Sequence, residues 1–258
     1  MHSGTDHALA HALATSAGEV LLRVRSGSYP GTDALKDAGD AAAHAHLVTR
    51  LRAARPGDAV LSEEGADDAA RLGADRVWIV DPLDGTREFA EAGRTDWAVH
   101  VALWERGELV AGAVALPAEG VTLGTATPAA LPARAEGPVR LAVSRSRPPA
   151  LVQELAAALG AELVPMGSAG VKAMAVVRGQ ADAYVHGGGQ YEWDSAAPVA
   201  VARAAGAHTS RVDGSPLAYN QADPYLPDLV VCRPELTGRL LGALADLGPA
   251  RTDGGNRA

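Results

Sequence analysis

The feature of this 258-residue sequence that most constrains its fold is an apolar run that stops abruptly at two carboxylates. Arg76 to Val80 is a predicted strand, Asp81 follows it directly, and Asp84 comes three residues later. The proline between them fixes its own φ, and Gly85 permits a tight turn. Such a turn can aim both carboxylates and the Leu83 carbonyl at one point, which is the all-oxygen shell that Mg²⁺ prefers.

Further acidic residues stand at the ends of other predicted elements. Glu63 and Glu64 follow a short strand over 59–61, and Asp194 precedes an Ala-rich helix. Each has an ordinary alternative, because loop acids are commonly solvated and an Asp before a helix is commonly its N-cap. A turn and a helix cap would also explain either aspartate after the strand, but not all of these acids together.

Gly85 and Thr86 begin a predicted helix directly after the second carboxylate. The free backbone N–H groups of a helix start form a natural seat for a phosphate. Cation ligands and a phosphate seat at one turn indicate a small phosphorylated substrate.

The composition excludes several other classes of protein. A net charge of -8 argues against a broad nucleic-acid-binding face, and Cys232 is the only cysteine, so neither a disulfide within the chain nor a thiolate metal cage can form. The sequence lacks a basic segment followed by an apolar stretch at its start, and it has no apolar run long enough to span a bilayer. We therefore expect a soluble, cytoplasmic protein with no membrane partner.

The order of predicted elements indicates an α+β first lobe and an α/β second lobe. An Ala- and Pro-rich stretch over 126–137 suggests a boundary between lobes at 1–133 and 134–258. Predicted helices cover about 6–24, 40–55, 150–159, 168–177, 195–205 and 235–247. Predicted strands cover about 59–61, 76–80, 97–104, 108–116, 140–143, 163–165, 181–185 and 228–231, and Gly187–Gly189 is expected to be a flexible loop lining the site.

The motifs resemble those of a known family. The run from Asp81 to Phe89 closely resembles the first signature of the inositol monophosphatase superfamily. Trp193–Ala197, with Ala204–Ala207 downstream, resembles its second signature, and Glu63–Glu64 lies upstream as the family requires. The resemblance covers about residues 8–233 and implies the family's fold, a layered αβαβα sandwich that combines α+β and α/β parts.

The resemblance also implies roles for individual residues. Two or three Mg²⁺ ions would be bound by Glu63, Asp81, the Leu83 carbonyl, Asp84 and Asp194. The catalytic residues that activate the attacking water would be Asp40, Thr86 and Glu63. The sequence departs from the family pattern at Asp37, where the family has a Thr. The substrate would be held by Gly85, Thr86, Ser168, Lys172 and Asp194.

The substrate is predicted from a second level of resemblance. In inositol monophosphatases a Glu before the second signature contacts inositol hydroxyls, and Gly187 occupies that place here. Glu88–Phe89, Val143–Ser146, Gly167–Ser168 with Lys172, and Gly214–Tyr219 are instead similar to the 3'(2'),5'-bisphosphate nucleotidase branch. That likeness implies conversion of adenosine 3',5'-bisphosphate to AMP and phosphate, a step that serves sulfate assimilation.

Alternatives remain at this point. Ser168 and Lys172 would share a helix face, yet a Ser cap beside a solvated Lys is as ordinary. Within the family, an inositol-1-monophosphatase or a broad-specificity sugar phosphatase is the second candidate. A non-catalytic metal-binding relative is the candidate from another class. The roles of Glu64 and Glu192 stay open, and the family allows a homodimer whose interface the sequence does not reveal.

Overall fold

The hydrophobic periodicity of the chain corresponds to seven α-helices and ten strands in the computed structural model, which describes residues 3–248. The helices are α1 (Ser3–Arg25), α2 (Thr32–Ala54), α3 (Thr86–Ala90), α4 (Ala150–Leu159), α5 (Ala169–Val177), α6 (Glu192–Ala204) and α7 (Thr237–Leu247). The strands are β1 (Ala59–Ser62), β2 (Arg76–Asp84), β3 (Ala98–Glu105), β4 (Glu108–Leu116), β5 (Val121–Gly124), β6 (Arg140–Ser144), β7 (Glu162–Met166), β8 (Ala183–Tyr191), β9 (His208–Ser210) and β10 (Tyr225–Cys232). Within these residues, no helix has both the length and the apolar character that crossing a membrane requires.

The strands form two five-stranded mixed sheets. The first sheet has the order β1-β2-β3-β4-β5, with β1 parallel to β2 and the other neighbours antiparallel. The second sheet has the order β7-β6-β8-β10-β9, in which β6 runs parallel to both of its neighbours and β10 runs antiparallel to both of its own. The predicted hairpin of β3 and β4 is confirmed.

Strand alternation sends each sheet's side chains into two different cores. In β2, Trp78 and Val80 pack against α1 and α2, whereas Val77 and Ile79 pack against α5 and α6. The other face of the second sheet packs against α4 and α7. The layers therefore run α1/α2, first sheet, α5/α6, second sheet, α4/α7, which confirms the predicted αβαβα sandwich.

Small residues let α6 lie close to the first sheet. A Cβ atom added at Gly112 in β4 would lie only 2.7 Å from the Cβ atom of Ala200 in α6. Because α6 also packs on β2 and β3, its first turn is brought to the end of β2 where the two aspartates stand. The Ala-rich composition of α6 is thus a consequence of this close approach.

Three predicted boundaries are wrong. Strand β2 continues past Val80 to Asp84, so the two aspartates stand within the strand and not in a turn that follows it. Helix α2 begins at Thr32 and not near Asp40, because Gly39 is buried within it against Phe89 and Leu83 and does not interrupt the helix. Strand β8 continues to Tyr191 and includes Gly187–Gly189, which were expected to form a flexible loop.

Pairing with β10 accounts for the longer strand. Gly187 lies opposite Asp228, and the register then shifts in a bulge. Gly188 and Gly189 have φ of 114° and 90°, which glycine adopts at little cost. The short strands β5 and β9 were not predicted, because each is held mainly by the strand beside it.

A buried aspartate in α1 joins this helix to the end of α2 and the start of β2. Asp6 in α1 is 2% exposed and accepts hydrogen bonds from Arg55 Nη2 (2.7 Å), after the end of α2, and from Arg76 Nη2 (3.0 Å), at the start of β2. Burial raises the pKa of Asp6, but the hydrogen bonds and charges of the two arginines outweigh it and leave this pKa below its usual value. The ionised carboxylate therefore stabilises the fold.

We predict that Asp6→Asn lowers the free energy of unfolding by about 1.5–3 kcal/mol near neutral pH, because it removes hydrogen bonds to a charged group. Since the folded-state pKa is depressed, this stabilisation is complete above the ordinary pKa of aspartate and is lost as the pH falls through the folded-state value. Urea denaturation between about pH 7 and about pH 3 should show the two proteins converging.

The matched control is Asp33→Asn in α2, whose carboxylate forms an exposed pair with Lys36. This control should stay within about 0.5 kcal/mol of the wild type. A difference between Asp6→Asn and wild type that does not change with pH would contradict the assigned role of the charge.

Candidate metal centre

A β-bulge turns the two aspartates of β2 toward the same side. Asp81 lies opposite His100 of β3 and Asp84 lies opposite Ala98, so three residue steps of β2 match two of β3. In a regular strand, residues three apart point to opposite faces, and the extra residue of the bulge cancels this alternation. The bulge thus explains how carboxylates at this spacing share one site.

Three carboxylates converge there. One carboxylate oxygen from each of Asp81, Asp84 and Asp194 lies within 4.8 Å of the other two. Asp81 and Asp84 are buried, at 1% and 8% exposure, and Asp194 is half-buried in the first turn of α6. The three therefore form a compact all-oxygen cluster at the junction of the first sheet and the middle helix layer.

The raised pKa values of the clustered carboxyl groups indicate that a cation would stabilise their ionised forms. Burial, followed by the charges of neighbouring carboxylates, raises the pKa of Asp81 well above its usual value. Burial of the carboxyl groups, with the charges of nearby carboxylates, also raises the pKa of Asp194 to about 6 and the pKa of Glu63 to about 7. Like charges held this close favour either protonation or a bound cation.

Asp84 differs from the other two aspartates because protein donors surround it. Its Oδ2 accepts hydrogen bonds from Ser168 Oγ (2.5 Å) and the Gly170 N–H (2.7 Å), and its Oδ1 accepts the Ala169 N–H (3.1 Å). Burial raises the pKa of Asp84, but His100, Lys172 and Ser168 outweigh it and hold this pKa below its usual value. Asp84 is therefore expected to be ionised at neutral pH.

His100 is a member of the site that the sequence analysis missed. Its ring is fully buried. The Nε2 atom lies 3.2 Å from Asp84 Oδ2, close enough for an ion pair when His100 is protonated, but the two atoms are not aligned for a hydrogen bond. Its Nδ1 lies 3.0 Å from the Trp193 carbonyl oxygen and 3.9 Å from Asp81 Oδ2. The only signal that could have located it is the register of β3, which sets it opposite Asp81.

The residues present fit a divalent cation. Among the residues that the structure describes, His100 is the partner in the ion-pair contacts of Asp81 and Asp84. A protonated histidine carries one positive charge, which does not balance the negative charges of three carboxylates. The predicted ligands Asp81, Asp84 and Asp194 are thus brought together, and an oxygen-only donor set matches Mg²⁺ or a similar hard ion. Glu63 lies at the rim of the cluster: the residue as a whole is exposed, although its carboxyl group, close to Asp81, Asp84 and Asp194, is partly shielded from water.

One of the residues predicted to activate water, Asp40, lies in α2, which packs on α3. The adjacent Gly39 lies so close to Phe89 of α3 that a Cβ atom there would be 2.8 Å from the Phe89 ring. Burial, with the charges of Glu64 and Asp37, raises the pKa of Asp40 to about 7.

Thr86 completes the turn after Asp84. Its Oγ1 donates a hydrogen bond to the Leu83 carbonyl oxygen at 3.1 Å. The hydroxyl proton is therefore used within the turn, and the Oγ1 lone pairs remain as acceptors.

The two residues predicted to contact the substrate from α5 are buried and engaged inside the protein. Ser168 Oγ donates to Asp84 and accepts the Val171 N–H at 3.0 Å. Lys172 Nζ donates to the Ser168 carbonyl oxygen at 2.6 Å and lies 5.3 Å from the centre of the Tyr184 ring. Both side chains thus bind the protein's own groups.

The structure assigns Glu192 a structural role. Its carboxylate is buried and accepts the backbone N–H groups of Asn220 and Gln221, each at 2.7 Å. Glu192 therefore anchors the loop before β10 to the start of α6. Asp194, two residues later, accepts the Tyr191 N–H at 2.6 Å, which fixes the carboxylate at the end of β8.

Comparison with known proteins agrees with this geometry. A model of the inositol monophosphatase family matches residues 5–247. The 3'-phosphoadenosine 5'-phosphate phosphatase of Mycobacterium leprae is 55% identical over 256 residues, covering 94% of each chain. The 3'(2'),5'-bisphosphate nucleotidase CysQ of Escherichia coli is 33% identical over 231 residues, covering 83% of this chain and 94% of that protein.

A solved structure extends the likeness to three dimensions. The crystal structure of CysQ from Bacteroides thetaiotaomicron, described as a bacterial member of the inositol monophosphatase family, superimposes with a TM-score of 0.80 at 28% identity. The match covers 89% of this chain and 97% of that chain. The chain therefore belongs to the inositol monophosphatase family.

Proposed function

We propose that the protein is a Mg²⁺-dependent phosphomonoesterase that converts adenosine 3',5'-bisphosphate to AMP and phosphate. The observation that carries the proposal is the cluster of Asp81, Asp84 and Asp194, whose oxygens lie within 4.8 Å of one another in a largely buried place. Such a cluster costs free energy unless a cation compensates it, so its presence points to a metal-dependent reaction.

These three carboxylates, with Glu63 and the Leu83 carbonyl, would hold two or three Mg²⁺ ions. Bound there, the ions would polarise the phosphoryl group and make a water more acidic. The chain's own part is to supply fixed oxygen ligands, and the Tyr191 N–H that holds Asp194 is one of the groups that fix them.

Asp40 and Thr86 are the groups that we assign to the attacking water, with Glu63 assisting from the rim. A carboxylate whose pKa is raised to about 7 can accept a proton at neutral pH without being too weak a base. Thr86 Oγ1, having donated to the Leu83 carbonyl oxygen, can accept a hydrogen bond from that water and orient it.

The backbone N–H groups of Gly85 and Thr86 are assigned to the phosphate oxygens. Gly85 has φ of 90°, and a Cβ atom there would lie 3.2 Å from the Asp96 carbonyl oxygen and from Ser168 Cβ. Glycine is therefore required at this turn. Helix α3 has only five residues, so the individual N–H groups, and not a helix dipole, would stabilise the charge.

The substrate assignment is supported by two observations. Relatives that are 55% and 33% identical carry the names 3'-phosphoadenosine 5'-phosphate phosphatase and 3'(2'),5'-bisphosphate nucleotidase. At the place of the Glu that contacts inositol in inositol monophosphatases, this chain has Gly187, which offers no side chain to a hydroxyl group. We therefore favour a nucleotide over inositol phosphate.

The proposal also covers the setting of the reaction. The substrate would lie between the lobes at 1–133 and 134–258, since Asp81 and Asp84 come from the first and Asp194 from the second. A cytoplasmic location would suit removal of the nucleotide left by sulfonucleotide use in sulfate assimilation. The homodimer stays a prediction.

We predict that Mg²⁺ raises the melting temperature of the protein. At a concentration about 100-fold above the dissociation constant, a ligand adds about 2.7 kcal/mol, which for a chain of this size is about 5–10 °C. Asp81→Asn should melt at a higher temperature than the metal-free wild type, because it relieves repulsion, and should lose most of the Mg²⁺ response. Differential scanning calorimetry with Mg²⁺ and with EDTA measures both effects.

The matched control is Asp75→Asn, which changes an exposed aspartate that pairs with Arg106. This variant should keep the wild-type response to Mg²⁺. Equal melting temperatures of the wild type with Mg²⁺ and with EDTA would argue against the metal centre.

We predict that kcat/KM for phosphate release is higher with adenosine 3',5'-bisphosphate than with inositol 1-phosphate, and that EDTA abolishes both activities. Asp84→Ala should lower kcat/KM on the order of 10³-fold, because several kcal/mol of charge stabilisation in the transition state depend on the bound metal. A phosphate-release assay with the two substrates measures the preference.

The control here is Asp75→Ala, which should retain wild-type kcat/KM. A preference for inositol 1-phosphate would leave the metal centre in place and overturn the interpretation of Gly187. Release from neither substrate by protein that binds Mg²⁺ would instead support the non-catalytic relative.

A further inference from the structure

A serine at the start of α5 has a backbone conformation that serines rarely adopt. Ser168 is the N-cap of α5 and has φ of 51° and ψ of 134°. Among the described residues other than glycine, it shares a positive φ with Arg106 and Asn220. Ser168 is also 6% exposed, so the strained residue is buried. Glycine would adopt this φ at less cost, so the serine side chain must contribute something that glycine cannot.

Both hydrogen-bonding functions of that side chain are used within the protein. The Ser168 hydroxyl donates to Asp84 Oδ2 at 2.5 Å and accepts the Val171 N–H at 3.0 Å. A hydroxyl has one proton to donate, and this one goes to a carboxylate of the metal centre. The contact with substrate predicted from the sequence is therefore not the role that the hydrogen bonds indicate.

The following two residues bind the same carboxylate. The Gly170 N–H donates to Asp84 Oδ2 at 2.7 Å, and the Ala169 N–H donates to Oδ1 at 3.1 Å. Two donors thus occupy Oδ2, whereas Oδ1 accepts one of these bonds and keeps a lone pair for a cation. By this count of hydrogen bonds, Oδ1 is the Asp84 oxygen with more capacity left to bind a cation.

The segment that carries these donors is held from several sides. The Gly167 N–H donates to Asp96 Oδ2 at 2.6 Å, and Lys172 Nζ donates to the Ser168 carbonyl oxygen at 2.6 Å. A Cβ atom at Gly170 would lie 2.0 Å from His100 Nε2, so only glycine brings the backbone N–H this close to the cluster. A strained backbone conformation persists only where neighbouring groups hold it in place, and such residues are concentrated at functional sites.

We propose that Ser168 is a positioning residue for the metal, acting through Asp84, and not a substrate-binding residue. The proposal rests on the proposed function, since it takes the cluster of Asp81, Asp84 and Asp194 to be a metal site. Outer partners that orient a ligating carboxylate set metal affinity, because an unheld ligand must be ordered when the ion binds.

The test is calorimetric titration of the full chain with Mg²⁺, comparing wild type, Ser168→Ala and Ser168→Gly. Both variants lose the hydroxyl, and we expect both to bind Mg²⁺ about 10- to 100-fold more weakly. Ser168→Gly also relieves the strain, so its metal-free form should melt at a higher temperature than that of Ser168→Ala. Metal affinity and fold stability should therefore change independently.

Recovery of wild-type affinity in Ser168→Gly would overturn the proposal, because backbone shape alone would then suffice. Wild-type affinity in both variants would overturn it too, while leaving the metal centre intact. A wild-type protein that binds neither Mg²⁺ nor Mn²⁺ would overturn the proposed function together with this inference.

A kinetic comparison separates positioning of the metal from contact with the substrate. With Ser168→Gly, raising the Mg²⁺ concentration should restore activity, and KM for adenosine 3',5'-bisphosphate at saturating Mg²⁺ should equal that of the wild type. A raised KM at saturating Mg²⁺ would overturn the proposal in favour of direct contact between the Ser168 hydroxyl and the substrate.

Discussion

Repulsion among three closely spaced carboxylates, two of them buried and one half-buried, is the constraint around which this structure is organised. One carboxylate oxygen from each of Asp81, Asp84 and Asp194 lies within 4.8 Å of the other two. Burial raises the pKa of Asp81 and of Asp194, which shows that their charged forms are disfavoured there. Such an arrangement persists only if the surrounding fold is stable enough to impose it and a cation can relieve it. A cation bound to the cluster is therefore expected to stabilise the folded protein.

The two sheets and the helix layer between them impose this arrangement jointly. A bulge in β2 puts Asp81 and Asp84 on one side of the first sheet, and the close packing of α6 on β4 brings Asp194 to them. The start of α5 then holds the Asp84 carboxylate through three hydrogen bonds. The site thus depends on contacts between elements distant in sequence, and this accounts for the narrow choice of small residues such as Gly112 and Gly170 where these elements meet.

Local signals were enough to predict the fold class and the acidic motifs. The alternation of strands and helices is a short-range pattern and was enough to predict α+β and α/β parts. The layered αβαβα sandwich itself was predicted from the resemblance of the acidic motifs to those of the inositol monophosphatase superfamily. His100 could not, because an ordinary apolar strand surrounds it and only the register of β3 against β2 gives it a role. The hydroxyl of Ser168 was assigned to the substrate because its contact with Asp84 joins residues 84 positions apart. The extension of β8 through Gly187–Gly189 likewise depends on pairing with β10.

The central claim is that this cluster binds divalent metal, and anomalous scattering from crystals grown with Mn²⁺ tests it most directly. Mn²⁺ accepts the same oxygen ligands as Mg²⁺ and can be located by its own signal. The account predicts at least one anomalous peak about 2.0–2.3 Å from carboxylate oxygens of Asp81, Asp84 and Asp194. Fully occupied Mn²⁺ sites elsewhere, with no peak among these three residues, would contradict it.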